Sequence, residues 1–209
     1  MRSILEEGLQ RLQIDYTEGQ FEQCLAHCAE VERWNRRYAL VNASGDDLII
    51  RHLLDSLAGL KKIRSLGGNT LGDIGSGGGF PGIPLSIFLP ETAVYLLDRS
   101  ERKCLFLKNV VLGLGIQNAK ILQADYTRWN GCFDTITYRA LGSVSGKMIS
   151  RLRKIMCPGG NVCAYKGKRE TAVKEMNECR DFVPKYDILQ LEVPFLNEER
   201  HLILISGDE

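Results

Sequence analysis

The segment from Asp73 to Phe80, DIGSGGGF, places an acidic residue and four glycines between one short apolar run and the next. A backbone that bare suits a chain turning sharply from a strand into a helix while a ligand lies against its main chain, because side chains would block the approach. A flexible linker is the competing explanation, and it predicts no ordered sequel. The spacing of Gly75, Gly77 and Gly79 is G-x-G-x-G. A dinucleotide fingerprint needs G-x-G-x-x-G and would put glycine where Phe80 stands. Further carboxylates end the next two apolar runs, Asp98 in AVYLLD and Asp125 after Ala124 in QAD. Asp98 lies 23 positions beyond Gly75, suited to paired ribose hydroxyls, with capping of a helix near Ser100 as its alternative role. Asp125 suits an adenine amino group or a solvated loop.

The charge of Asp73 would repel a pyrophosphate yet favour the ammonium or sulfonium of S-adenosylmethionine. That preference turns away from NAD and leaves an NAD-dependent oxidoreductase as the weaker alternative. At the end of the fourth apolar run, TYRALG supplies Tyr138 and Arg139 but neither an Asn-Pro-Pro-Tyr-like run nor a Pro-Cys pair. Methylation of an exocyclic amine or a ring carbon usually needs such a proton acceptor or nucleophile. A ring nitrogen with a free lone pair needs neither, only in-line placement. Arg139 and Lys166, ending the fourth and fifth runs on the same edge as the glycines, are the candidate catalytic residues, acting through alignment.

Holding these residues together calls for a parallel sheet. After Gly67-Gly68 short apolar runs alternate with helical stretches, which predicts βαβ units covered on both faces. Strands are expected at 71–74, 94–98, 119–122, 134–138, 161–165, 186–193 and 201–206. Only PFLNEER separates the last two, too short for a crossover helix, so they should form an antiparallel hairpin. Residues 1–66 have helical spacing throughout, as in Leu5, Leu9 and Leu12 or Phe21, Cys24 and Cys28. Thr17–Gln20 has capping-box spacing, and Ser44–Asp47 offers another helix start. The expected organisation is an N-terminal helical extension, 1–66, on one compact cofactor-binding domain, 67–209. Within a helix over 46–57, His52, Asp55 and Ser56 share a face, as a local polar network or as a docking or RNA-binding feature.

With 209 residues and a net charge of +1, any contact with nucleic acid must come from local basic patches. Arg33, Arg36 and Arg37 form one such patch, and Lys166, Lys168 and Arg169 another. Seven cysteines, an odd number without a C-x-x-C pair, predict reduced thiols rather than a disulfide framework. The three histidines complete no metal-ligand spacing, so no metal is expected. Glu6 and Glu7 interrupt the N-terminus, which is no signal peptide, and no run reaches the roughly 18 apolar residues of a membrane span. A cytoplasmic protein without membrane contact is expected.

These residues together resemble the RsmG (GidB) family, bacterial methyltransferases that modify nitrogen 7 of guanine in small-subunit ribosomal RNA. RWNRRYALV at 33–41, RHLLDSL at 51–57, DIGSGGGFPGIPL at 73–85, YRA at 138–140, YKG at 165–167 and RHLILI at 200–205 follow in family order over nearly the whole chain. Gln123 departs from the arginine the family often has there. The resemblance implies a class I, Rossmann-like, seven-stranded fold and S-adenosylmethionine contacts at Gly75, Phe80, Asp98, Ala124, Asp125 and Arg139. It further implies a monomer acting on small-subunit RNA or an assembling 30S subunit. A cofactor-binding RNA assembly factor with little catalysis is the alternative.

Overall fold

The computed structural model describes residues 1–183 and 185–207. Helices come first: α1 (Arg2–Arg11), α2 (Glu18–Tyr38), α3 (Gly45–Leu48), α4 (Asp55–Ala58) and α5 (Leu60–Leu66). The strands β1 (Thr70–Ile74), β2 (Ala93–Asp98), β3 (Ala119–Gln123), β4 (Phe133–Arg139), β5 (Met156–Lys166), β6 (Tyr186–Leu191) and β7 (Arg200–Ser206) follow. Among them stand α6 (Gly82–Phe88), α7 (Glu101–Gly113), α8 (Gly146–Lys154) and α9 (Arg169–Glu178). The seven strands form one sheet in the order β3-β2-β1-β4-β5-β7-β6. All neighbours are parallel except β7, which runs antiparallel to both β5 and β6. The expected closing hairpin is therefore present, and its second strand inserts between β5 and the edge.

Side chains alternate across the strands between two apolar layers. Leu71, Leu96, Cys163, Leu202 and Leu204 face one layer, and Ile74, Leu97, Val162, Ile203 and Ile205 face the other. Residues of α1, α2 and α6, including Leu5, Leu9, Phe21 and Ile83, fill the first layer. Residues of α8 and α9, including Ile149, Leu152 and Met176, fill the second. The N-terminal helices thus bury their apolar stripes against the sheet itself. Thr17 begins α2 with the expected capping box, its hydroxyl accepting from the Gln20 N–H while Gln20 reaches back to the Thr17 N–H.

Two expectations need correction. The span 46–57 is not a uniform α-helix: Ile49–Leu54 is π-helical, a wider turn that recurs at functional sites. Ser56 is fully buried and donates back to the His52 carbonyl at 2.6 Å, so it faces the interior. The thiols are not all reduced, because Cys132 and Cys157 are joined in a disulfide. They flank the start of the paired strands β4 and β5, with Cα atoms 5.1 Å apart. That proximity arises from strand pairing, which a separation of 25 residues does not reveal.

A hydrogen bond ties the helical segment to the sheet near its carboxyl edge. The buried Tyr165 hydroxyl donates to the Ser56 carbonyl at 2.7 Å, and Gly59 leaves room for it, since a Cβ there would lie 2.5 Å from that oxygen. Tyr165→Phe is expected to lower unfolding free energy by about 1–2 kcal/mol, by leaving a buried carbonyl without its donor. Urea titration should show the midpoint fall with an unchanged m-value.

Candidate active site

The glycine loop leaves β1 and folds back over the carboxyl edge of the sheet. Gly75 and Ser76 donate their N–H groups to the Leu97 carbonyl at 2.8 and 3.0 Å, bridging the loop to the end of β2. Gly79 has a positive φ of 86°, and a Cβ there would stand 2.5 Å from Ile83 Cδ1 and 3.0 Å from His27 Nε2. Two aspartates fix the loop from below. Asp73, buried, accepts from the Gly82 N–H at 3.0 Å and the Thr137 hydroxyl at 3.4 Å. Burial raises its pKa to about 6 against those bonds and the charge of Arg139. Asp98 accepts from the N–H of Gly77 at 3.0 Å and that of Ser100 at 2.9 Å, so it holds both the loop and the residue that leads into α7.

A cleft of about 390 Å³ opens beside the loop, lined among others by Gly75, Asp98, Lys103, Ala124, Asp125 and Ala140. The sequence-predicted Gly75, Asp98, Ala124 and Asp125 therefore meet in one wall. Asp73 and Phe80 do not line it. Asp73 holds the loop from behind, and Phe80 packs with its ring 4.5 Å from that of His27 and 5.3 Å from that of His52. Asp125 starts a short 3-10 turn by accepting from the Thr127 N–H at 2.9 Å, a bond that holds its carboxyl below the usual range.

A second cleft of about 430 Å³ adjoins the first through Ala140, whose φ is 55°. Its walls include His52, Asp55, Arg139, Tyr165, Lys166 and Arg200. Arg139 leaves the end of β4 and donates to the Arg51 carbonyl and to Asp55, both at 3.2 Å, and to His52 Nδ1 at 2.5 Å. Its guanidinium also lies 5.5 Å from the Phe80 ring centre. Burial, then the charges of Arg139, Arg200 and Arg51, lower the His52 pKa to about 3. Burial raises the Asp55 carboxyl even with Arg139 and Arg200 against it. Lys166 donates to the Gly142 carbonyl at 3.1 Å and pairs with Glu175 at 2.7 Å. Arg36, Arg37 and Lys168 lie exposed outside both clefts.

Sequence reasoning missed His27 and Glu175. His27 lies in the apolar stripe of α2, fully buried, with Nε2 2.9 Å from the Gly78 carbonyl, so it reads as core until the fold brings the loop over it. Glu175 gives no signal on a helix of mixed charge. Asn35, within the Trp-Asn segment, brackets Val41 by accepting from its N–H at 3.0 Å and donating to its carbonyl at 2.7 Å. Val41 in turn abuts Gly78, where a Cβ would lie 3.1 Å from Val41 Cγ1.

Residues 20–203 match the family described as rRNA small subunit methyltransferase G, GidB. A ribosomal RNA small subunit methyltransferase G from Francisella philomiragia is 34% identical over 206 residues, spanning 98% of this chain and 97% of the relative. That of Treponema pallidum is 37% identical over 188 residues, spanning 84% and 80%. Among solved structures, the tRNA methyltransferase TrmI from Aquifex aeolicus has a TM-score of 0.59 at 12% identity, covering 75% of this chain and 69% of the other. Precorrin-6y C5,15-methyltransferase from Geobacter metallireducens has a TM-score of 0.55 at 14% identity, covering 73% and 87%. Identities that low establish the shared class I methyltransferase fold alone.

The buried histidines make stability depend on pH. Burial lowers His27 to about 4 and His52 to about 3, from an ordinary 6.5. Below 6.5 the unfolded chain binds protons that the folded rings refuse. Their contribution is therefore complete above 6.5 and is lost as pH falls toward those values, at up to about 1.4 kcal/mol per unit for each ring. Asp73 acts oppositely, since its contribution is complete below 3.8 and is lost as pH rises through about 6. In His27→Gln, which keeps a donor for the Gly78 carbonyl, the fall in unfolding free energy between pH 6 and 4.5 should be shallower by roughly 1.2 kcal/mol per unit. Urea midpoints across that range check it, and an unchanged slope rules out His27 as a source.

Proposed function

The chain belongs to the rRNA small subunit methyltransferase G family, and from that premise we propose that it methylates nitrogen 7 of a guanine in small-subunit ribosomal RNA. The methyl donor on this reading is S-adenosylmethionine, and the substrate is the RNA itself or an assembling 30S subunit, met by a cytoplasmic monomer. The observation that carries the proposal is the meeting of the two clefts at Ala140, one walled by backbone and carboxylates, the other by arginines and a histidine.

The first cleft suits the donor. The Asp98 carboxylate has about four lone-pair sites and commits two to Gly77 and Ser100, leaving acceptors for ribose hydroxyls. Gly75 borders the cleft without a side chain, and a Cβ there would lie 2.8 Å from Leu141 Cδ1. Asp125 and Ala124 flank the far wall for an adenine ring. When bound, S-adenosylmethionine supplies an electrophilic methyl group on a sulfonium. Nitrogen 7 of guanine already carries a free lone pair, so the chain has no proton to remove before transfer. What remains for the protein is alignment, which falls to Arg139 and the residues it fixes, and to Lys166, which donates to the Gly142 carbonyl. Arg36, Arg37 and Lys168 are exposed cations placed to follow an RNA backbone, and His52 and Asp55 face the base.

Radiolabel transfer from S-adenosylmethionine to small-subunit RNA tests the activity, and mapping modified guanines in cells with and without the protein locates the target. Label entering RNA at a single guanine supports the proposal. Binding of RNA and donor without transfer would favour an assembly factor instead. Asp98→Ala is expected to weaken S-adenosylhomocysteine binding by about 1.5–3 kcal/mol, roughly 10–150-fold by calorimetry. Unchanged affinity would reduce Asp98 to its loop and helix contacts. Arg139→Ala should lower single-turnover methylation on the order of a hundredfold, because displacement of the reacting groups by about 1 Å costs that much. Wild-type turnover in that variant would refute the alignment role.

A further inference from the structure

Nearly every donor lining the second cleft is already engaged within the fold. Arg139 bonds the Arg51 carbonyl, Asp55 and His52. Lys166 is held by the Gly142 carbonyl and Glu175, and the Tyr165 hydroxyl by the Ser56 carbonyl. Arg200 bonds Glu198 and the Glu199 carbonyl and lies 3.6 Å from Asp55, while Arg51 pairs with Glu198 and Asp47. His52 differs. Arg139 can only donate, so His52 Nδ1 accepts and the ring proton sits on Nε2. Nε2 has no hydrogen-bond partner among the described residues, and the half-buried ring stands in the cleft wall against Phe80.

Resting on the methyltransferase reading above, we infer that His52 is the residue that selects guanine: its Nε2–H donates to the oxygen on carbon 6 while the adjacent nitrogen 7 stays free to react. Guanine presents acceptors at both positions of that edge. Adenine presents an amino donor beside its nitrogen 7, which would meet the imidazole donor head-on. A neutral donor also suits the reaction, because methylation leaves the purine ring cationic and a charged donor beside it would oppose the product. Burial, and after it the charges of Arg139, Arg200 and Arg51, keep His52 unprotonated. Arg139 therefore fixes the tautomer and the orientation of the ring and adds to the burial that keeps it neutral.

The test is single-turnover methylation of a small-subunit RNA fragment carrying either the mapped target guanine or 2-aminopurine in its place. 2-Aminopurine keeps nitrogen 7 but lacks the oxygen on carbon 6. Wild-type protein is expected to slow roughly 10–100-fold on 2-aminopurine. His52→Phe keeps a ring against Phe80; it should slow by a similar factor on guanine and lose less than about 3-fold more on 2-aminopurine. His52→Gln, with a carbonyl to accept from Arg139 and an amide to donate, should recover both rate and preference. Equal wild-type rates on the two bases, or the full preference surviving in His52→Phe, would overturn the inference. The wild-type comparison needs no variant, so equal rates would overturn the inference even if His52→Phe fails to fold, and His52→Gln then carries the assignment to His52. Absence of label on any guanine would be a different failure, removing the methyltransferase reading itself.

Discussion

A guanidinium largely shielded from water at the end of a central strand constrains everything around it. Arg139 cannot lose its proton, its side chain is 15% exposed, and each N–H without a partner would carry a desolvation cost. The fold answers with groups from the helical segment: the Arg51 carbonyl, the Asp55 carboxylate and the His52 ring. These are brought within reach by the π-helical turn at Ile49–Leu54, whose wider spacing precedes Asp55. Removing Asp55 would leave the charge uncompensated and removing either of the others would leave an N–H unpaired, so the N-terminal helices cannot drift from the sheet without breaking the site. The apolar layer shared by α1, α2 and β1 supplies the bulk of the attachment, and Arg139 fixes its position.

The glycine loop depends on the same logic of satisfied polar groups. A chain reversing above the sheet has N–H groups that regular strand pairing does not satisfy. Asp73 takes the N–H of Gly82, Asp98 takes that of Gly77, and the Leu97 carbonyl takes those of Gly75 and Ser76. The carboxylates that sequence reasoning assigned to a ligand thus serve first as anchors. For Asp98 the two roles are compatible, because a carboxylate has acceptor capacity left over. For Asp73 they diverge: buried beneath the loop, it acts by holding the cradle's shape rather than by facing the cleft.

The sheet was legible in the sequence because buried parallel strands leave short apolar runs and because a seven-residue connection excludes a crossover. Gly75, Asp98 and Asp125 were legible because each ends such a run, and run ends fall on one edge. Other features depend on pairings with no local trace. The Cys132–Cys157 bond follows from β4 lying beside β5, and the Lys166–Glu175 pair from α9 packing on β6 and β7, next to β5. The π-helical turn leaves the apolar pattern of 48–57 almost unaltered, so periodicity shows a plain helix there. His27 was hidden for the opposite reason, since its stripe position is that of a core residue and its partner is a backbone carbonyl 51 positions away.

Charge balance in the second cleft accounts for why its cations come already paired. RNA brings dense negative charge, and unpaired arginines around a base pocket would capture phosphates in place of the base. Asp55 between Arg139 and Arg200, Glu198 between Arg51 and Arg200, and Glu175 on Lys166 offset most of that positive charge. On the function proposed above, attraction for the backbone falls to exposed side chains such as Arg36, Arg37 and Lys168, outside the clefts. On the same proposal, a purine that becomes cationic on methylation would meet a wall near neutrality, where a bare arginine cluster would raise the energy of the very state that must form. The pocket therefore depends on geometry rather than net charge, and a rigidly held guanidinium supplies geometry because its five donors lie in one fixed plane.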